Sequence, residues 1–417
     1  MRFGFHAYHE ALRDRFSSSK RVYFVVLSSF ITAILAIGVL SSVSFRGLAS
    51  TNDTVEPVSA NYTAPYAADS RHKDRKYVVG FLPHWSIGQK AKVYPEYLDE
   101  IIYFGIWLND DGTLRKKNDQ GKTLTEWNYL STEEFAQLKA QTKNTNTKLS
   151  VSITNFSNES IDELISNKAA RQRAINDIDK LITDNDFQGI NFDFEYFGGN
   201  EFTTTLPNLN VFLQESVKEL KARHPGLIVS MDLNASVVYA DNSYDMVKIG
   251  EIVDYIMIMA YDYRVPTSTH AGAVAPMQAD GANITKTVES LMGRVPPEKI
   301  ILGIPFYGYE WQTETEEYGS KVIPHTGATA TYARVRDLIA ARDDVKVTYD
   351  ETTKSPWLTY KQNGLIKQIY YEDERSLYEK MAFVHERNLK GLGIWALGYE
   401  GSYVEPWQLI MTHLRTK

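Results

Sequence analysis

The segment Gly189-Ile190-Asn191-Phe192-Asp193-Phe194-Glu195-Tyr196 alternates polar and apolar side chains over a stretch rich in β-forming residues. In a β-strand, residues two apart share a face, so Asn191, Asp193 and Glu195 point one way and the phenylalanines the other. Carboxylates inside a sheet are costly unless they have partners or a function. The simpler alternative is a half-exposed edge strand whose acids face water. The neighbouring segments distinguish the two interpretations.

Seven other short apolar runs accompany this segment along the chain. Most are continuous rather than alternating, which is typical of strands buried on both faces in a parallel sheet. The runs are Tyr77–Leu82, Ile101–Leu108, Lys148–Ile153, Leu227–Leu233, Val253–Ala260, Lys299–Pro305 and Gly391–Leu397. The acidic segment is therefore expected to be the fourth strand of such a sheet.

Helical patterns separate these runs, with apolar residues on one face and charged residues on the other. The patterns cover Ser131–Gln141, Ser160–Ile182, Leu206–Arg223 and Asp373–Asn388, and the first opens with a capping box. Eight strands joined by crossover helices predict a (β/α)8 TIM barrel whose active site lies at the carboxyl ends of the strands. An open doubly wound sheet is the alternative, but no glycine-rich phosphate loop follows the first strand.

The interval between the seventh and eighth predicted strands, residues 309–372, is too long for one crossover helix. It contains a helical pattern at Tyr332–Arg342 and β-like runs at Val345–Tyr349 and Ile366–Tyr371. We therefore expect a small α+β insertion on the rim of a barrel that occupies residues 76–417.

The N-terminal region carries a membrane signal. Residues 1–21 are basic, and no charged residue occurs from Val22 through Phe45. About 20 apolar residues suffice to cross a bilayer, so we expect a transmembrane anchor at 22–45 with its basic flank in the cytoplasm. A polar linker at 46–75 would then carry the barrel outside. The alternative is a cleaved signal sequence, with Gly47–Ser50 as the small-residue cleavage site and a secreted product.

Composition excludes several classes of function. The 417 residues carry a net charge of −7, which argues against a general nucleic-acid binder. The absence of cysteine excludes disulfides, thiolate metal sites and a cysteine nucleophile. No cluster of His, Asp and Glu with ligand spacing stands out, so we expect no metal and no cofactor. We also expect a monomer.

The segment around Glu195 resembles the Asp-x-Asp-x-Glu signature of family 18 glycoside hydrolases, the chitinase-like enzymes. Met259-Ala260-Tyr261-Asp262 resembles the family's Met-x-Tyr-Asp at the end of the sixth strand, Gly303–Gly308 its seventh strand, and Trp395 its tryptophan at the end of the eighth. The likeness runs from about residue 76 to the C terminus. It looks closest to the bacterial spore-germination and cortex-lytic type, without the LysM repeats such proteins often carry.

One departure concerns Asn191, where the family usually has aspartate. Asparagine can form hydrogen bonds but cannot take up charge. In the family this aspartate helps to tune the ionisation of its neighbour. The resemblance therefore leaves the rate and the pH optimum of this chain open.

The resemblance implies a retaining, substrate-assisted hydrolysis of glycans that contain N-acetylglucosamine, such as chitin or peptidoglycan. Glu195 would act as general acid and base, Asp193 would accept a hydrogen bond from the 2-acetamido N–H, and Tyr261 would hold the acetamido carbonyl. Trp395 would form the floor under the scissile sugar. The substrate-binding candidates are Asn191, Met259, Asp262, Trp395, Tyr309 and Trp311.

Each of these assignments has a simpler alternative. Trp395 and Trp311 could belong to the core, and Asp262 could cap a helix. The whole chain could be a sugar-binding, lectin-like protein on the same barrel, although family members of that kind have typically lost the acid. A Schiff-base aldolase is disfavoured because Lys148 and Lys299 lie where strands begin, at the wrong end of the barrel.

Overall fold

A computed structural model describes residues 74–88, 92–196, 205–239 and 244–415 of the chain. Eight parallel strands form a closed barrel in the spatial order β1-β13-β7-β6-β5-β4-β3-β2. These strands are β1 (Tyr77–Pro83), β2 (Glu100–Trp107), β3 (Lys148–Asn155), β4 (Gly189–Phe194), β5 (Ile228–Asn234), β6 (Tyr255–Met259), β7 (Ile300–Pro305) and β13 (Gly391–Trp395). The predicted TIM barrel is confirmed.

The alternation in β4 works as the sequence predicts. Its aromatic side chains face outward, where Phe192 and Phe194 pack against Phe212 at ring-centroid distances of 5.5 and 5.7 Å. Asn191 faces the other way and is paired in register with Ser152 of β3 and Ser230 of β5. All six residues of β4 are buried, so the strand is not an exposed edge.

Eleven α-helices occur in the described part of the chain, most of them outside the barrel as crossovers. They are α1 (His84–Gly88), α2 (Thr125–Tyr129), α3 (Glu133–Thr145), α4 (Asn158–Ser166), α5 (Lys168–Asn185), α6 (Thr205–Arg223), α7 (Met246–Ile252), α8 (Ile284–Met292), α9 (Tyr332–Ala341), α10 (Glu374–Glu386) and α11 (Glu405–Ile410).

Two details of the helix predictions were wrong. The predicted helix Ser160–Ile182 is two helices, because Asn167 leaves the helical conformation and its side chain accepts hydrogen bonds from the backbone N–H groups of Ala169 and Ala170. The cap of α3 is Thr132 rather than Ser131, since the Thr132 side chain accepts from the N–H of Phe135. Both corrections reflect local competition between a polar side chain and the helical backbone.

The insertion between β7 and β13 is a five-stranded antiparallel sheet with α9 packed beside it. Its strands are β8 (Tyr307–Gln312), β9 (Ala328–Thr331), β10 (Lys346–Asp350), β11 (Ser355–Gln362) and β12 (Leu365–Tyr370), in the spatial order β10-β11-β12-β8-β9. The α+β character was predicted, but β8, β9 and β11 were not. The predicted seventh run ends at Pro305, and β8 begins after only one further residue, Phe306, where no separate strand was predicted.

No helix among the described residues is long and apolar enough to span a bilayer. The predicted anchor at Val22–Phe45 and nearly all of the predicted linker lie outside the described residues. The anchor therefore stays a prediction.

Candidate active site

The predicted chemical residues meet at the carboxyl ends of neighbouring strands. Glu195 directly follows β4, Tyr261 and Asp262 follow β6, and Trp395 ends β13. Asp193 and Glu195 are only 4% and 7% exposed, so both carboxyl groups lie in the mouth of the barrel rather than on its surface. This is the end at which TIM-barrel enzymes carry out their chemistry.

The amide of Asn191 lies in the barrel interior below this mouth and is fully buried. Its Oδ1 accepts a hydrogen bond from Ser152 Oγ at 3.0 Å, and its Nδ2 donates to Ser230 Oγ at 3.1 Å and to Asp232 Oδ1 at 2.8 Å. The side chain is thus held by β3 and β5. Its position favours an indirect role over direct contact with a sugar.

Asp193 has an unusual environment for a carboxylate. Its Oδ1 is buried and has no hydrogen-bond partner among the described residues. Burial raises the pKa of Asp193 well above its usual range, and the negative charge of Asp232 raises it further. An unsatisfied buried acceptor is rare in folded proteins and requires an explanation. A ligand N–H would satisfy it.

The surroundings of Glu195 favour its protonated form. Burial raises its pKa well above the usual range, the charges of Asp193 and Asp262 add to this effect, and a hydrogen bond from Asn234 opposes it. A carboxylic acid that stays protonated near neutral pH can act as a general acid.

Tyr244 fixes the chain where it leaves β4. Its hydroxyl donates to the carbonyl of Phe194 at 2.7 Å and accepts from the N–H of Tyr196 at 2.9 Å. The N–H of Glu195 donates to the carbonyl of Asn155 at 3.1 Å. These bonds hold the backbone on both sides of Glu195 in place.

Asp262 has a left-handed backbone conformation, with φ of 60°. Its Oδ1 accepts hydrogen bonds from the hydroxyls of Tyr307 at 2.5 Å and Tyr309 at 2.8 Å. It caps no helix, because the next helix along the chain begins at Ile284. Asp262 therefore joins the end of β6 to the first strand of the insertion.

Replacing Asp262 with asparagine will raise the free energy of unfolding at neutral pH. Burial raises the pKa of Asp262 to about 6, although the two tyrosine hydroxyls oppose the shift. The folded state then binds this proton more tightly than the unfolded chain, so the cost of the carboxylate grows as pH rises through this range. We expect a gain of about 1–3 kcal/mol at neutral pH that disappears below about pH 4.

Thermal unfolding of both proteins across this pH range measures the effect. Asp280→Asn, an exposed aspartate on the same connection between β6 and β7, is the control and should leave the pH dependence unchanged. A stability difference for Asp262→Asn that is the same at every pH would contradict the assignment.

The aromatic candidates fall into two groups. Trp395 is partly exposed at the mouth. Its ring packs against those of Phe81, Trp85 and Phe104, at centroid distances of 5.9, 6.4 and 4.7 Å. This position is compatible with a sugar-stacking floor.

Trp311 lies elsewhere. It is fully buried, and its indole N–H donates to the carbonyl of Pro266 at 3.2 Å. Tyr309 is also buried and its hydroxyl is bound to Asp262. Both positions favour the packing alternative over a sugar subsite. Met259 ends β6 and is 8% exposed, next to Tyr261 in the wall of the mouth.

Two polar residues at the site were missed by the sequence reasoning. Asp232 lies in the middle of β5, and Asn234 ends the same strand and hydrogen-bonds Glu195. A signal for Asp232 was present, since it is an acid within the otherwise apolar run Leu227–Leu233.

Comparison with known proteins assigns the chain to a family. Residues 77–400 match the family described as glycosyl hydrolases family 18, and the chain belongs to that family. The family predicted from the motifs is confirmed.

Among curated relatives, the putative sporulation-specific glycosylase YdhD of Bacillus subtilis is 30% identical over 61% of this chain and 57% of its own length. The cortical fragment-lytic enzyme of the same organism is 27% identical over 66% of this chain and 62% of its own length. The predicted resemblance to the spore-germination type is thus confirmed. The matches span less than two thirds of both relatives.

Solved structures share the fold at low identity. A group IV chitinase of Ostrinia furnacalis superposes with a TM-score of 0.70 at 20% identity, covering 81% of this chain and 98% of that one. The spore cortex-lytic enzyme SleL of Bacillus cereus gives a TM-score of 0.67 at 21% identity, covering 83% and 76%.

Proposed function

We propose that this protein is a retaining glycoside hydrolase that cleaves β-linked N-acetylglucosamine glycans with assistance from the substrate's own acetamido group. One observation carries the proposal. A buried carboxylic acid, Glu195, stands at the mouth of the barrel beside a buried carboxylate oxygen of Asp193 that has no hydrogen-bond donor among the residues the structure describes. The Glu195 carboxylic acid can protonate the oxygen of the leaving group. The unsatisfied Asp193 oxygen can accept a hydrogen bond from an N–H group of the ligand.

In the first step, protonated Glu195 donates its proton to the glycosidic oxygen as the bond to the anomeric carbon breaks. The acetamido carbonyl oxygen of the same sugar attacks that carbon from the opposite face and forms a positively charged oxazolinium ring. Asp193 accepts the acetamido N–H and its negative charge stabilises the cation. The protein supplies no nucleophile.

In the second step, the Glu195 carboxylate takes a proton from water as the water oxygen attacks the anomeric carbon and opens the ring. Two inversions at one carbon give net retention of configuration. Glu195 ends protonated and ready for another cycle.

Tyr261 is suited to orient the acetamido carbonyl. Burial raises the pKa of its hydroxyl well above the usual value, and the nearby charges of Asp232, Asp262, Asp193 and Glu195 add to the shift. The phenol therefore keeps its proton at any working pH and remains a hydrogen-bond donor.

A substrate without the 2-acetamido group tests this mechanism directly. We expect a chromogenic glucose oligomer to be cleaved at least about a thousandfold more slowly than its N-acetylglucosamine counterpart, because effective molarities of well-placed intramolecular groups are large. Release of the chromophore under identical conditions measures both rates. Similar rates for the two substrates would rule out assistance by the acetamido group.

The glycan we favour is peptidoglycan rather than chitin. Two relatives are named for sporulation and for cortical fragments, and an enzyme held outside by an anchor at Val22–Phe45, or released by its cleavage, would meet a cell wall. Digestion of purified peptidoglycan and chitin side by side, with mass spectrometry of the products, tests the preference. Chitin fragments without muropeptides would overturn it. Fractionation of cells and size-exclusion chromatography test the proposed location and the proposed monomer.

A further inference from the structure

Three carboxyl groups, rather than two, lie together inside the upper barrel. The third belongs to Asp232, which is 3% exposed in the middle of β5 between Met231 and Leu233. A carboxyl group in the interior of a barrel is costly unless the surroundings compensate for it. The mechanism proposed above makes no use of Asp232, so its presence requires an explanation.

The compensation comes from Asn191. One N–H of its amide donates to Asp232 Oδ1 at 2.8 Å and the other to Ser230 Oγ at 3.1 Å, both on β5. The amide oxygen accepts from Ser152 Oγ on β3 at 3.0 Å. These three bonds determine which way the amide points, with its donors toward β5 and its acceptor toward β3.

This orientation has a consequence for Asp193, which lies two residues further along β4. With both N–H groups of Asn191 directed at β5, the amide has none left for Asp193, whose Oδ1 has no partner among the described residues. The charge that acts on Asp193 is instead that of Asp232. Asn191 and Asp232 therefore form an acid–amide pair directly behind the substrate-binding carboxylate.

The other titratable groups that interact with Asp232 come from three further parts of the barrel. They are Glu195 beyond β4 and Glu100 on β2, whose charges act on Asp232, and Tyr261 after β6, on which the charge of Asp232 acts in turn. The phenol of Tyr261 stays neutral, whereas the negative charges of Glu195 and Glu100 make ionisation of Asp232 more difficult. Two neighbouring carboxyl groups in such a setting titrate as a pair and share a proton.

We propose that Asp232 is a positioning residue of the hydrolytic site: it shares one proton with Asp193 and keeps that proton when the acetamido N–H binds the Asp193 anion. The proton leaves a carboxyl oxygen of Asp193 and binds the Asp232 oxygen that Asn191 does not occupy, and no other bond changes. The proposal rests on the proposed function. It implies that the site needs one acid and one amide at positions 191 and 232 together, rather than a particular residue at either position.

An exchange of the two side chains tests this idea. Four variants of the full chain are required: Asp232→Asn, Asn191→Asp, the double exchange Asn191→Asp/Asp232→Asn, and the control Asp280→Asn, which changes an exposed aspartate on the connection between β6 and β7. For each, kcat/KM on a chromogenic N-acetylglucosamine oligomer is measured from about pH 4 to about pH 9, together with thermal unfolding.

Asp232→Asn leaves Asp193 without a like charge beside it, so its activity at about pH 4 relative to pH 7 should rise about fivefold. Asn191→Asp places two carboxyl groups in contact and removes a donor, so its activity at about pH 5 should fall about tenfold and its melting temperature should drop. The double exchange restores one acid and one amide, and its pH profile should match the wild type within about twofold. Asp280→Asn should keep the wild-type profile.

A wild-type pH profile in Asp232→Asn, or a double exchange no better than Asn191→Asp alone, would overturn the proposal and leave Asp232 a purely structural residue. The double exchange remains decisive if a single variant fails to fold. Failure of the proposed function is distinguishable, since it would appear as a wild-type protein without activity, or as Glu195→Gln with undiminished activity.

Discussion

Glu195→Gln is expected to lower kcat/KM on chromogenic N-acetylglucosamine oligomers by about a thousandfold, since general acid–base groups typically contribute factors of this order. Glutamine has nearly the same shape as glutamic acid but cannot give a proton to the glycosidic oxygen or take one from water. KM should change little, because the substrate still fills the same cleft. Steady-state kinetics on both proteins measure the loss.

The matched control for this substitution is Glu298→Gln. Glu298 is exposed and lies directly before β7, at the opposite end of the barrel from the site. It should keep full activity. Undiminished hydrolysis by Glu195→Gln would contradict the assignment of Glu195 as the general acid and base, and a wild-type protein that binds the oligomers without cleaving them would favour the lectin-like alternative.

The pH dependence of the wild type provides a second view of the same residue. Burial and the charges of Asp193 and Asp262 raise the pKa of Glu195, so its acid form should persist well above the pH at which an ordinary glutamate ionises. Activity should therefore fall on the alkaline side as Glu195 loses its proton.

Asp193→Asn is expected to lower kcat by about a hundredfold, the order of effect seen when a preorganised electrostatic group is removed from a developing charge. The variant keeps an acceptor oxygen for the acetamido N–H but loses the negative charge that balances the oxazolinium cation. The loss should appear in kcat more than in KM, since the cation exists only beyond the ground state. Steady-state kinetics separate the two parameters.

The same variant should shift the alkaline limb of the pH profile. The charge of Asp193 helps to raise the pKa of Glu195, so its removal lowers that pKa and moves the limb to lower pH. Asp184→Asn, an exposed aspartate in α5, is the control and should alter neither quantity. An unchanged limb together with a normal kcat would show that Asp193 does not act on Glu195 or on the intermediate.

Much of the fold could be predicted because the signal is local. A parallel strand buried on both faces appears as a short, mostly continuous apolar run, and this pattern predicts the seven barrel strands other than β4. The polar ladder of β4 was recognisable as well, because alternation along a strand determines which side chains share a face. These features need no knowledge of which segments become neighbours.

Two kinds of feature were harder to predict: positions where a side chain competes with the backbone for hydrogen bonds, and boundaries between strands that follow one another almost without a break. Asn167 interrupts a regular helical pattern because its side chain caps the following helix. The spacing of the apolar residues continues across this position and so does not reveal the break. The strand β8 was hidden because it continues almost directly from β7, and its separate identity comes from pairing with β9 and β12.

For the segment 189–196, the order of the residues was enough to predict a buried barrel strand with its acids on one face and with Glu195 at the carboxyl end of the strand. The contacts of these side chains, in contrast, depend on how the strands are arranged around the barrel. Closure of the barrel brings Ser152, Ser230 and Asp232, about 40 residues away along the chain on either side, into contact with Asn191. A hydrogen bond of this kind depends on strand register and side-chain direction across two separate strands, and no local pattern encodes either.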